Sequence, residues 1–346
     1  MVSCIYSKEE LGPEVFSSGE HIIPACIGGK QKLPKDYVSH QVNQEFSALE
    51  LGFARNSIIS LFRITFGPGK RGSLSKKKET RSKLSFSKFG NDRKLELSYI
   101  QKGEPIVVNQ YYGDGYGGKL SLNPLDDPIE KLKEFSSDKK VINMSVPDEK
   151  EYYDYYIVLD SKKLYVYTKP NVQIVLKEIF NEIEAQKQEL LSSISNLENK
   201  RVSEGVLVNL DFDFKDDYFR VVAKMAFNSL AFVKGKDYVL DRCFDELREW
   251  ILKGNEEQTS NFIEKDTFSF DSDRYFKLFY KSLKISEMSH SVYLLPRNEG
   301  LFAFVKLYGN PPIVVRLTNC CKEIDFNFIF LYCDWESGKL ENYIKE

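Results

Sequence analysis

The strongest constraint on the fold is a thirty-residue stretch, 171–200, in which apolar side chains recur every three or four positions. Glu, Lys, Gln and Ser fill most of the other positions, so the stretch predicts a long helix with one apolar face. An apolar face of this length must be covered, either by other elements of its own domain or by a second subunit. The sequence leaves both arrangements open, so a homo-oligomer or a partner subunit docked on 171–200 is one expectation.

Helical and strand patterns fall in separate parts of the sequence. Residues 217–233 and 241–253 have helical periodicity, and Gly235 and Gly254 follow them closely, as glycines often follow helices. The last eighty residues contain short runs rich in β-branched and aromatic residues, separated by turn sequences, which predict an antiparallel sheet. This segregation is typical of an α+β fold.

The composition excludes several classes of protein. Apolar residues make up 42% of the chain, enough for a packed core, and the net charge of −2 excludes a protein that is basic overall. No apolar run approaches the roughly 18 residues that a membrane-spanning helix needs. The N-terminus lacks a basic region followed by an apolar run, and the six cysteines are scattered. We therefore expect a cytoplasmic protein with reduced thiols and no membrane partner.

One part of the chain is strongly basic. Residues 52–102 contain thirteen Lys or Arg against three Asp or Glu, a local excess of ten positive charges. The densest part follows the break at Gly67-Pro68-Gly69. We expect residues 67–102 to form a basic loop or arm that contacts a polyanion.

Candidate catalytic groups lie near the N-terminus, in residues 20–29 and 36–46. Cleavage of a phosphodiester needs a base to activate water and a divalent cation to bear charge on the phosphate and the leaving oxygen. An acid beside a histidine, with an oxygen-bearing side chain about twenty residues later, can supply these groups. Neighbouring side chains on a strand point to opposite faces. The acid and the histidine beside it can therefore serve one site only where the strand breaks. Pro24 and Gly28-Gly29 mark such a break.

Residues 20–46 resemble the HNH endonuclease family, in the branch where a Glu-His-Ile-Ile-Pro motif, a Gly-Gly turn and a Cys-x-x-Cys-Asn motif follow one another. The resemblance implies a small ββα-metal module in which His21 is the general base. It further implies that Glu20 and Asn43 bind one Mg²⁺ or Mn²⁺ ion, with Asp36 in a supporting role. Residues 223–251 are similar to the helical region that follows the nuclease module in some bacterial HNH proteins.

The sequence departs from that family at its structural zinc. The family usually has two Cys-x-x-Cys pairs, whereas here the pairs are Cys4-Ile5-Tyr6-Ser7 and Ser39-His40-Gln41-Val42. One ligand of four remains, so we expect no structural zinc. A rebuilt site from Cys4, Cys26 and His40 is the alternative.

The predicted architecture is an HNH-like module in residues 1–66, the basic loop or arm in 67–102, and a larger α+β domain in 103–346. That larger domain would contain the long helix, a helix pair and the C-terminal antiparallel sheet. The function implied by the resemblance is metal-dependent DNA cleavage, in a bacterial or phage-related defence or mobile-element system. A decayed, non-catalytic DNA-binding or regulatory protein is one alternative, and an RNase toxin is another.

We predict that the basic residues control DNA affinity rather than chemistry. The expected DNA-contacting residues are Lys30, Lys32, Arg71, Lys76, Lys77, Lys78 and Arg81. Replacing Lys76, Lys77 and Lys78 with Ala should weaken binding to all DNA sequences about equally. It should also flatten the slope of log affinity against log salt by about 0.9 for each phosphate that no longer pairs with a lysine. An unchanged slope in a titration by fluorescence anisotropy would place the DNA-binding surface elsewhere, with Lys30, Lys32 and Arg55 as the next candidates.

Overall fold

The chain divides into two units. The terminal unit comprises Met1–Thr80 and Phe212–Glu346, and the inserted unit comprises Arg81–Asp211. The computed structural model is an α+β fold. It describes residues 1–75, 78–88, 94–114, 117–123, 126–127, 130–131, 139–159, 163–193, 216–264, 273–319 and 324–345.

The regular elements are numbered in chain order. The helices are α1 (His40–Asn56), α2 (Ile59–Thr65), α3 (Leu176–Ser193), α4 (Asp216–Lys234), α5 (Lys236–Val239), α6 (Asp245–Lys253), α7 (Thr259–Phe262) and α8 (Asp273–Leu283). The strands are β1 (Val2–Ser3), β2 (Glu10–Leu11), β3 (Ser85–Lys88), β4 (Leu95–Gln101), β5 (Glu104–Val107), β6 (Gln110–Asp114), β7 (Gly117–Ser121), β8 (Lys140–Ser145), β9 (Tyr155–Leu159), β10 (Lys163–Thr168), β11 (His290–Arg297), β12 (Gly300–Lys306), β13 (Ile313–Thr318), β14 (Phe328–Asp334) and β15 (Lys339–Lys345).

The C-terminal sheet is antiparallel, in the order β13-β12-β11-β14-β15. Successive side chains of a strand point to opposite faces, and both faces of this sheet are covered. On β11, Val292 and Leu294 face the core that contains α4, while Tyr293 between them packs with Phe276 of α8. The predicted sheet is confirmed. Its fifth strand, β15, was not predicted because its side chains are mostly exposed and lack an apolar pattern.

Helix α4 lies in the same core as the N-terminal segment. Most of its residues are buried, because it packs both on α1 and on the C-terminal sheet. The ring of Phe227 lies 5.2 Å from that of Tyr6 and 5.9 Å from that of Phe244. The two ends of the chain therefore share one core.

The described part of the inserted unit contains two sheets and one long helix. The larger sheet has the order β7-β6-β9-β10-β8, with β8 and β10 parallel, and the smaller has the order β3-β4-β5. Helix α3 packs its Ile179 and Ile183 against Tyr111 and Tyr155 of the larger sheet. The Tyr111 hydroxyl also donates to Glu182, at 2.5 Å. Ile179 and Ile183 of the predicted 171–200 helix are thus covered within the inserted unit, while residues 194–200 lie outside the described residues.

The units do not follow the predicted domain boundaries. Residues 103–346, predicted as one domain, are shared between the two units, and the terminal unit extends past residue 66 to Thr80. Within the predicted basic loop 67–102, β3 and β4 form strands. Their apolar alternation, with Leu97 and Tyr99 buried, was hidden by the surrounding positive charge.

Two further observations concern the helices and the cysteines of the described residues. None of the helices there has the length and apolar content that crossing a membrane requires. Cys4, Cys26, Cys243 and Cys333 are free thiols.

We predict that Phe227→Ala will destabilise the terminal unit by about 3–5 kcal/mol, because it leaves a cavity where the N-terminal and C-terminal segments meet. Chemical denaturation followed by circular dichroism measures this change. Phe66→Ala removes the same groups from a side chain that is 43% exposed, and it should cost less than about 1 kcal/mol. Equal effects of the two substitutions would contradict the shared core.

Candidate functional site

The predicted acid and histidine lie on the first of two short antiparallel segments. The Leu33 N–H donates to the Glu20 carbonyl oxygen at 2.8 Å, and the Ile22 N–H donates to the Gln31 carbonyl oxygen at 3.1 Å. This pairing sets His21 directly opposite Lys32. Helix α1 follows, so the order of elements is two extended segments and then a helix.

The turn between these segments requires both of its glycines. Gly28 has a φ of 102°, in the left-handed region that side chains other than glycine rarely adopt. Gly29 has an ordinary φ, yet a Cβ there would lie 1.8 Å from the Ile23 carbonyl oxygen. The local backbone geometry therefore explains why both positions of this turn are glycine.

Two buried side chains from distant elements hold this turn. Arg63 of α2 donates from Nε to the Cys26 carbonyl oxygen at 2.7 Å. His290 of β11 donates from Nε2 to the Ile27 carbonyl oxygen at 2.9 Å. Burial lowers the pKa of the His290 imidazole to about 4, so this histidine is neutral at pH 7 and serves the fold.

The Glu20 side chain is buried and paired with a cation. Its Oε1 accepts from the Lys224 ammonium, which also donates to Glu50 Oε1 at 2.5 Å. The ammonium also lies 4.9 Å from the centre of the Phe46 ring. Burial alone would lower the pKa of Lys224, but the two carboxylates outweigh it and raise that pKa, so the lysine is charged.

Lys224 and Glu50 were not predicted as members of the site. Glu50 lies on α1 seven residues after Asn43, which is two helical turns along the same face. Lys224 lies in an otherwise apolar stretch of α4, and a lysine buried there needs a carboxylate partner. The sequence therefore contained one signal for each residue, the position of Glu50 on the face of Asn43 and the lysine in an apolar helix. Which carboxylates pair with Lys224 depended on long-range packing.

His21 is held through its backbone. Asn228 of α4 donates from Nδ2 to the His21 carbonyl oxygen at 2.9 Å. Within the described part of the chain, no hydrogen bond engages the His21 ring nitrogens. Burial, and next the positive charge of Lys32, lower the pKa of the imidazole to about 4. The ring is therefore neutral at pH 7, with one nitrogen available to accept a proton.

Asn43 approaches the same segment from α1. Its Nδ2 donates to Ser18 Oγ at 2.9 Å, two residues before Glu20. Within the described part of the chain, no hydrogen bond joins Asn43 to Glu20 or to His21. Asp36 is exposed and pairs with Lys236, at 3.4 Å between Oδ2 and Nζ.

The predicted DNA-contacting residues are divided between the two units. Lys30, Lys32, Arg71 and Lys78 are exposed on the terminal unit. Arg81 belongs to the inserted unit and lies 4.8 Å from the centre of the Tyr99 ring. Lys30 donates to the Ser337 carbonyl oxygen at 2.5 Å. Lys76 and Lys77 lie outside the described residues.

The donor atoms at this site fit a hard divalent cation only in part. Among the described residues, no group of three or more His, Cys, Asp or Glu side chains is placed to hold a metal ion. Lys224 engages one oxygen of Glu20, and no partner within the described residues engages Oε2. That oxygen and the amide oxygen of Asn43 are the ligand types that Mg²⁺ takes, alongside water and substrate phosphate.

Comparisons of the chain with protein-family models, with curated proteins and with solved structures found no match.

We predict that the His21 imidazole stays neutral well below the ordinary histidine range and takes up its proton near pH 4. In the unfolded chain it should titrate near the ordinary value of about 6.5. The unfolded state therefore binds this proton first as the pH falls, so the contribution of His21 to stability is complete above about pH 6.5 and is lost between pH 6.5 and 4.

Nitrogen-15 NMR of the imidazole measures the midpoint directly. The chain in denaturant serves as the control, because burial and the charge of Lys32 no longer act there. A folded-state midpoint near 6.5 would contradict the burial of this ring.

Proposed function

We propose that the chain is a metal-dependent DNA endonuclease of the HNH type, with His21 as the general base. The proposal depends most on one contact, the hydrogen bond from Asn43 to Ser18. It brings the predicted ligand on α1 next to the segment that carries the predicted acid and base. Two extended segments followed by a helix are also the element order of a ββα-metal module.

His21 would accept a proton from the attacking water. Its imidazole is neutral at pH 7. Within the described part of the chain, no residue forms a hydrogen bond with its ring nitrogens. Glu20, through Oε2, and Asn43, through its amide oxygen, would hold the cation. When bound, Mg²⁺ or Mn²⁺ supplies positive charge for the scissile phosphate and the leaving oxygen.

Lys32 would guide the phosphate to the base. Its side chain is exposed, and the antiparallel pairing sets it opposite His21. Because the whole chain has a net charge of −2, attraction of a polyanion must come from local groups of this kind. Lys30, Arg71 and Lys78 would extend the contact surface on the same unit.

One observation favours a second candidate, a module that binds DNA without cleaving it. Glu20 is only 3% exposed and already has the Lys224 ammonium as its counter-ion. A structural role for the acid would leave Asn43 as the one remaining predicted metal ligand, which is too few to hold the ion, and the chain would then bind DNA without cleaving it.

We predict that the chain nicks supercoiled plasmid with Mg²⁺ or Mn²⁺ and that EDTA stops the reaction. His21→Ala should slow cleavage by about 10²–10⁴-fold, since it removes the base. DNA affinity measured by anisotropy should change little, because the groups that bind phosphate remain.

His40→Ala is the matched control, because His40 is an exposed histidine on α1 that bonds only with Ser17 and Gln44 among the described residues. It should cleave as the wild-type chain does. Unaltered cleavage by His21→Ala would refute the assignment of the base. DNA binding without cleavage would favour the second candidate, and cleavage of RNA alone would indicate an RNase.

A further inference from the structure

Helix α4 carries two polar side chains, one helical turn apart, in its most buried part. Lys224 and Asn228 are both 0% exposed, and Val221, Met225 and Phe227 around them are buried as well. A charged group and an amide in such surroundings destabilise the fold unless each has hydrogen-bond partners. The partners they have are therefore informative.

Both side chains contact the candidate catalytic dipeptide. Lys224 donates to Oε1 of Glu20, and Asn228 donates to the carbonyl oxygen of His21. Residues four apart lie on one face of a helix, so one face of α4 holds two consecutive residues. The Tyr6 hydroxyl donates to Asn228 Oδ1 at 2.6 Å and so fixes the orientation of the amide.

Lys224 also lies between two acids. Its Nζ contacts Oε1 of Glu20 and, at 2.5 Å, Oε1 of Glu50. Two carboxylates that share one cation in this way could bridge a metal ion if the ammonium were absent. In this chain the ammonium takes that position.

We propose that Lys224 and Asn228 are positioning residues for the cleavage reaction, an inference that rests on the proposed function. Lys224 acts as a permanent counter-ion that fixes Glu20 through one oxygen and leaves the other oxygen for the divalent cation. It also fills the place between Glu20 and Glu50, so the site binds a single divalent ion. Asn228 fixes the backbone at His21, and with it the direction of the imidazole.

Removing the ammonium should have two opposite effects. The negative charge of Glu20 and Glu50 would be uncompensated, so a divalent cation would bind more tightly. Glu20 would also lose its fixed orientation, and displacement of a catalytic ligand by about 1 Å can slow a reaction by about 10²-fold. A residue that only stabilised the fold would not separate these effects.

The test compares Mn²⁺ binding with cleavage. Electron paramagnetic resonance measures free Mn²⁺ in the presence of the full chain without DNA, and plasmid nicking gives kcat. Lys224→Met should bind Mn²⁺ about tenfold more tightly, or bind a second equivalent, while kcat falls by about 10²-fold. Lys224→Arg retains the charge, so its Mn²⁺ affinity and its kcat should both lie between those of Lys224→Met and those of the wild-type chain.

Asn228→Ala tests the second contact. It should lower kcat and leave Mn²⁺ binding unchanged, because Asn228 contacts the backbone and no carboxylate. Ser229→Ala is the matched control. Ser229 is equally buried on the same helix, and its hydroxyl donates to the Met225 carbonyl oxygen. Its kcat and Mn²⁺ affinity should equal those of the wild-type chain.

If Lys224→Met does not fold, the double variant Lys224→Met with Glu50→Gln replaces it. This variant has the same net charge at the site as the wild-type chain, so Mn²⁺ binding should be close to normal while kcat still falls. If the folded variants cleave at the wild-type rate, or lose Mn²⁺ affinity and kcat in parallel, this inference is overturned while the proposed function stands. A wild-type chain that neither binds Mn²⁺ nor cleaves DNA would overturn the proposed function and this inference with it.

Discussion

The terminal unit depends on one buried ion cluster, the Lys224 ammonium with the carboxylates of Glu20 and Glu50. These residues come from α4, from the first extended segment and from α1. Loss of one partner from a buried ion pair costs about 3–5 kcal/mol, a large part of the roughly 5–15 kcal/mol that stabilises a typical domain. The cluster joins residues from both ends of the chain, so we expect that removing any one of its three partners will destabilise the terminal unit.

Local patterns predicted the elements of this fold but not how the chain divides. The helices at 217–233 and 241–253 and the C-terminal sheet were predicted close to their observed bounds, because their apolar periodicity is a local property. The unit boundaries depend instead on contacts between residues far apart in sequence. Tyr6 and Phe227 share a core across more than two hundred residues, and no local pattern contains that information. The strand β4 escaped prediction for a different reason, since positive charge dominated its surroundings.

The site shows the same division between local and long-range information. The Glu20-His21 pair and the Gly28-Gly29 turn were evident from the sequence, and the structure gives both glycines a local cause. Glu50 and Lys224 complete the surroundings of Glu20, yet they were missed. A buried lysine in an apolar helix indicates that a carboxylate partner exists, but it does not say which one. Sequence patterns thus identified the candidate residues, and packing determined their electrostatic environment.

The proposed reaction places two requirements on the His21 imidazole: it must be neutral before substrate binds, and it must accept a proton once substrate is bound. The base must be neutral before substrate binds, and burial together with the positive charge of Lys32 keeps it so. A base with a pKa near 4 accepts protons poorly at pH 7, however. A phosphate bound to Lys32 would offset the positive charge of that lysine and add negative charge near the imidazole. The pKa of His21 would then rise towards the working pH. The residue that attracts the substrate would therefore also make activation of the base depend on the substrate being in place.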